Sequence, residues 1–67
     1  MDQKPQLTGR ELQILRSIAQ GMTTPQIAET LSLSPETVKW HRKKMLAKFS
    51  AATSAEMVRL ALEQDVL

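Results

Sequence analysis

An all-α, four-helix, bundle-like domain is the fold class that these 67 residues predict. Three observations carry the prediction. Helix-start signals recur four times along the chain, apolar residues repeat at helical spacing between them, and no segment alternates with the period of two that marks a half-buried strand.

The first predicted helix, about residues 9–20, opens on Thr8-Gly9-Arg10-Glu11. This is a capping box: the Thr8 hydroxyl serves an orphan backbone N–H while Glu11 reaches back. Leu12, Leu15, Ile18 and Ala19 follow at helical spacing, and Gly21 supplies the stop. The second helix, 24–31, opens on Thr23-Thr24-Pro25-Gln26, a box with glutamine in place of glutamate. Proline is tolerated there because first-turn N–H groups have no intrahelical partner. Ile27, Ala28 and Leu31 give this short helix one buried edge. Ser32-Leu33-Ser34 is a tight turn in which Leu33 plugs the angle to the next helix. The third helix, 35–49, has Ser34 as N-cap, Pro35 at the first helical position and Glu36 near the positive end of the helix dipole. Its apolar stripe is Val38, Met45, Leu46 and Phe49. The fourth, 54–64, starts from a box at Thr53-Ser54-Ala55-Glu56. Residues 1–6 are expected to form a flexible N-terminal segment, and residues 1–67 a single domain.

At this size a chain buries only about 60% of its unfolded surface, so the core is small and a partner subunit would help. There is no cysteine, hence no disulfide framework and no thiolate metal site. The one histidine has no second histidine or carboxylate cluster beside it, so no metal is expected. No catalytic residues are suggested by spacing and no glycine-rich phosphate loop is present, so neither enzyme activity nor a cofactor is expected. No apolar signal segment or membrane-length run occurs; a cytoplasmic location is expected, with no membrane partner and no small-molecule ligand for this segment.

Charge is distributed unevenly. Five of the nine Lys and Arg residues lie between 39 and 48, and no acid interrupts them from Thr37 to Ala55. The remaining four basic residues are set against seven acids. A cationic patch on an otherwise acidic domain orients it toward a polyanion. A helix of about eight residues, a short turn and a longer basic helix form a central helix-turn-helix. The third helix docks on one side and offers cations and an aromatic on the other, which suits a DNA major groove.

Lys39 and Lys43, at i and i+4, can reach into one groove: Lys39 to guanine N7 or O6, Lys43 to a base or a phosphate. Trp40 is rotated by about 200° from Val38, so partial exposure is expected, with its ring against a thymine methyl or a sugar-phosphate edge. These three are the candidate base readers. Thr23, Thr24 and Thr37 sit near helix N-termini, where hydroxyls and amides hold phosphate. They join Lys44, Lys48 and His41 as candidate backbone contacts, although His41 fits a structural role between helices equally well. Thr8, Glu11 and Glu56 read mainly as caps. In the fourth helix, Ala55, Val58 and Leu62 suffice for internal packing. The surplus of Met57, Leu60 and Ala61 predicts a second apolar face and an isologous dimer.

The residues Leu7, Thr8, Arg10, Glu11, Leu15, Ala19, Gly21, Ile27, Ala28, Leu31, Ser34, Thr37, Val38, Lys39, His41 and Lys48 resemble the LuxR/GerE-type helix-turn-helix family. That family includes quorum-sensing regulators and the output domains of NarL/FixJ-type response regulators of two-component systems. The specific signal is the pair Leu-Thr-x-Arg-Glu and Thr-Val-Lys-x-His, with Glu11 and Thr37 separated by 26 positions. The resemblance implies a four-helix DNA-binding domain whose third helix enters the major groove and whose fourth helix dimerises. Three positions depart from the family pattern: Thr24-Pro25 replaces Asn-Lys, Ser54 replaces an arginine, and Asp65 replaces a small glycine.

The expected function is therefore sequence-specific, double-stranded DNA binding by a bacterial-type transcription regulator, or by the output domain of one. The site would be palindromic and the protein a homodimer on DNA, with RNA polymerase a further candidate partner. Two alternatives stand beside it. One is a promoter-binding domain like the fourth region of a sigma factor, which shares the fold and the early Leu-Thr-x-Arg-Glu pattern. The other is a helical protein-interaction module that uses the fourth helix. Met1 fits either a stand-alone regulator or a piece that follows a receiver or ligand-sensing domain.

Overall fold

The computed structural model describes residues 4–67; the expected flexibility of residues 1–3 falls outside them. The four helices are α1 (Gly9–Ala19), α2 (Thr24–Leu31), α3 (Pro35–Phe49) and α4 (Ser54–Glu63), and no strand occurs among the described residues. α1 and α4 stop one residue short of the sequence-based bounds because Gln20 and Gln64 act as C-caps.

One device starts every helix. The hydroxyls of Thr8, Thr23, Ser34 and Thr53 accept from the amides of Glu11, Gln26, Thr37 and Glu56, at 3.1, 3.3, 3.1 and 3.1 Å. Each satisfies an N–H that the helix itself leaves unpaired. The reciprocal half of the box is present at Thr8 and Thr23. At α4 it is altered: the Glu56 carboxylate accepts from the Ala52 amide at 2.7 Å instead of from Thr53.

Another device ends every helix. The amides of Met22, Leu33, Ala51 and Val66 donate five residues back to the carbonyls of Ser17, Ala28, Leu46 and Ala61, at 3.1, 2.8, 2.9 and 2.8 Å. Such a bond needs a left-handed residue just before the donor, and Gly21, Ser32, Ser50 and Asp65 have φ of 86°, 57°, 53° and 58°. The donors then turn apolar side chains onto the core. Asp65 takes the left-handed conformation with a Cβ that glycine lacks. Asp65→Gly is therefore expected to stabilise the chain by about 0.5–1 kcal/mol, read as a higher thermal midpoint. An unchanged or lower midpoint would mean that Asp65 is relaxed there.

α3 packs against all three other helices and forms the axis of the fold. The buried core is Ile14 and Leu15 of α1, Ile27 and Ala28 of α2, Val38, Met45 and Phe49 of α3, and Met57 and Ala61 of α4. In α1 the apolar positions are reassigned: Ile14 is fully buried, Leu12 and Ile18 are half-buried and Ala19 is exposed. The face turns because α3 and α4 cover the side containing Glu11, Ile14, Leu15 and Ser17.

Glu11 is the charged residue within this core, at 1% exposure. Its carboxylate accepts from the Thr8 amide at 3.0 Å and from Lys48 Nζ at 2.7 Å. Lys48 Nζ also donates to the Gln6 carbonyl at 2.8 Å, so the segment before α1, expected to be flexible, is tied down at Gln6. Burial by itself raises the Glu11 pKa. The Lys48 hydrogen bond, the Thr8 amide and the charges of Lys48 and Lys44 more than offset it, and the net pKa lies below the ordinary 4.5. No helix among the described residues is long and apolar enough to cross a membrane.

Candidate nucleic-acid interface

The same spacing that buries Val38, Met45 and Phe49 turns Lys39, Trp40, Lys43 and Lys44 outward, all of them exposed. α3 is thus fixed along one side by three helices and bare along the other. Glu36 stands one turn before Lys39 and Trp40, and from there to the end of α3 the outward face carries no acid.

Trp40 is 56% exposed. Its ring is not loose: Lys44 Nζ lies 4.3 Å from the ring centroid, and the His41 ring meets it edge-on at 5.0 Å and 70°. Cation–π attraction and the T-shaped aromatic pair both restrict the indole. Lys44, expected at the backbone, therefore also holds a base-reading candidate in place. His41 is half-buried, with Nδ1 enclosed and without a hydrogen-bond partner, and it sits at the seam between the outward face and the core.

The threonines lie in or beside the first turns of α2 and α3, each with a local role. Thr23 caps α2 and is exposed. The Thr37 hydroxyl pairs with the Ser34 hydroxyl at 2.9 Å. The Thr24 hydroxyl accepts from Arg42 Nη1 at 3.3 Å, which couples the first turn of α2 to the middle of α3. Arg42 was not among the sequence candidates. Its position four residues after Val38, on the inward margin of α3, was the available signal, and it ties the two helices of the helix-turn-helix together.

Two further expectations meet the geometry. Lys48 is exposed but stands apart from the outward cations, because its ammonium donates to Glu11 and to the Gln6 carbonyl. On α4 two positions of each face trade places, while Val58 packs against the core as expected. Met57 and Ala61, expected on a dimer surface, are both 0% exposed, whereas Leu62, expected inside, is 57% exposed and Ala55 is exposed too. Leu60 is half-buried against the core. α1 and α3 present their apolar sides to the Met57–Ala61 edge, so that edge is inside the monomer.

Comparison with known proteins follows this geometry. Residues 5–61 match the family described as bacterial regulatory proteins, luxR family. Among similar proteins of Escherichia coli K12, the response regulatory protein YgeK is 41% identical over 61 residues, covering 91% of this chain and 42% of that protein. The transcriptional regulatory protein UhpA is 42% identical over 53 residues, 79% of this chain and 27% of that one. The nitrate/nitrite response regulator protein NarP is 40% identical over 58 residues, 87% and 27% respectively. The chain thus spans well under half the length of these relatives. A crystal structure of the response regulator ChrA, from a heme-sensing two-component system, superposes with a TM-score of 0.90 at 27% identity, over 98% of this chain and 33% of that one. The domain is a DNA-binding, transcription-regulating unit and not an enzyme, and by its matched residues and its fold the chain belongs to the luxR family of bacterial regulatory proteins.

Proposed function

We propose that this domain is the output end of a response regulator and binds double-stranded DNA sequence-specifically, with α3 in the major groove. One observation carries the reading: Lys39, Trp40, Lys43 and Lys44 share the bare face of a helix whose other face is locked into the core. Rigid support on one side and a row of cations on the other is what direct readout requires. Lys39 and Lys43 meet base edges together with Trp40. Thr23, Thr24, Thr37 and His41 lie toward phosphates, as does Lys44 when it extends past the indole. Two copies occupy a palindromic site in the cytoplasm, paired through the outward side of α4 around Leu62 and the partly accessible Leu60. Met57 and Ala61 have no part in that contact.

Lys39→Ala tests base reading. It is expected to cost about 1–3 kcal/mol on a selected duplex and less on random DNA, measured by fluorescence anisotropy. Removing one phosphate contact instead lowers the slope of log K against log salt by about one. Equal losses on both DNAs would demote Lys39 to a backbone contact, and salt-independent binding would overturn the α3 reading.

A further inference from the structure

We infer that Trp40 determines specificity by reading the C5-methyl group of a thymine, and that Lys44 and His41 hold its indole ready to do so. This rests on the proposed docking of α3 in the major groove and names the base that one of its residues selects.

Two features of the surface lead here. Among the described residues Trp40 and Leu62 are the large hydrophobic ones left exposed, and of the two only Trp40 lies among the cations of α3. Among those cations the indole is the one group that offers an uncovered apolar surface to whatever α3 docks on. The edges that base pairs show in the major groove are polar except for one group, the thymine methyl. Cations on either side of Trp40 bring the helix to DNA without distinguishing bases, whereas an indole meets a methyl favourably and meets bare acceptors or donors less well.

The local geometry adds pre-organisation. Lys44 Nζ at 4.3 Å covers part of one face of the ring, and the edge-on His41 ring at 5.0 Å blocks rotation on another side. His41 is itself half-buried, with its Nδ1 enclosed by the fold. Both contacts restrict the indole before DNA arrives, so less rotamer freedom remains to be lost on contact. Lys44 acts on the base through Trp40 and is a positioning residue.

The test uses the purified protein and duplexes recovered from a randomised library by repeated selection. In the tightest duplex each thymine is replaced in turn by deoxyuridine, which removes the methyl and nothing else. One thymine per half-site is expected to show about four-fold weaker binding as deoxyuridine, the equivalent of one buried methyl-sized group. Trp40→Ala should bind thymine and deoxyuridine equally at that position, with unchanged helicity by circular dichroism because the residue is exposed. Trp40→Phe, which keeps an apolar ring, should retain part of the discrimination, and Lys44→Gln should reduce it. If no thymine is sensitive although the protein still selects a sequence, the thymine reading is wrong and the docking of α3 stands. The reading is also wrong if Trp40→Ala keeps the sensitivity, because another residue then reads the methyl. If no sequence is selected from the library, both the docking and the thymine reading fall.

Discussion

Replacing Met57 by glutamate is expected to leave the chain largely unfolded at neutral pH. Met57 is fully buried between α1, α3 and α4. A carboxylate there has no cation or donor arranged for it, and an unpaired buried charge costs several kcal/mol. A domain of this size has a total stability of about 3–10 kcal/mol at the usual per-residue values, so one such change consumes most of it. Even Met57→Ala should cost about 2–5 kcal/mol by leaving a cavity. Leu62→Glu, five residues along the same helix, should shift the thermal midpoint by only a few degrees, because Leu62 is already in water. On DNA, Leu62→Glu should instead weaken joint occupancy of two half-sites while sparing a single half-site, if α4 pairs two copies as proposed. A folded Met57→Glu variant with native helicity would show that α4 is rotated relative to this structure. An unfolded Leu62→Glu variant would show the same.

The second large effect is expected at the Glu11–Lys48 pair. Lys48→Met removes the ammonium and leaves a carboxylate buried with only the Thr8 amide to support it. The expected loss is about 2–4 kcal/mol, below the usual figure for a fully enclosed pair, because the Lys48 side chain is 32% exposed and water can reach its end. The pH dependence follows from the lowered pKa of Glu11. A carboxyl held more acidic in the folded state stabilises the fold above its ordinary value of 4.5, and that contribution disappears as the pH falls through the lower folded value. Wild-type protein should therefore lose stability progressively below about pH 4.5. Glu11→Gln should be less stable at neutral pH and flatter over that acid range. In Lys48→Met, burial is opposed chiefly by the Thr8 amide, so Glu11 is no longer held as acidic. That variant should be less stable at neutral pH and flatter than wild type over the acid range. Denaturant melts from pH 7 to pH 3 measure all three. Parallel wild-type and Glu11→Gln curves would rule out this pair as the source of the acid sensitivity.

The helices were legible because their ends are written locally. A hydroxyl three residues before an amide, a proline in a first turn and a left-handed residue beyond a last turn act within five or six positions, and nothing distant needs to be known. The outward face of α3 was legible for a related reason. Val38, Met45 and Phe49 are its only strongly apolar line, so the opposite side, with Lys39, Trp40 and Lys43, had to face solvent. The altered box at Glu56 was beyond reach, because the carboxylate chose the Ala52 amide over that of Thr53 through loop geometry.

α4 shows where local reasoning stops. Ala55-Val58-Leu62 and Met57-Leu60-Ala61 both repeat at helical spacing, and either line could have been the inner one. Periodicity states that a helix has an apolar side, and with two such sides it does not choose between them. The choice was made by where α1 and α3 lie, through the volume that Met57 fills between them. Lys48 shows the same limit in electrostatics. By sequence it is the last of five closely spaced cations, yet its partners Glu11 and Gln6 lie 37 and 42 positions away. Composition and spacing alone determined that this chain is four capped helices with a cationic, aromatic-bearing third helix, since those depend on neighbours within a turn or two. Which apolar edge of α4 is buried, which lysine is removed from the patch and how Lys44 and His41 hold Trp40 were decided by tertiary contact, because each depends on groups that only the folded chain brings within a few ångströms.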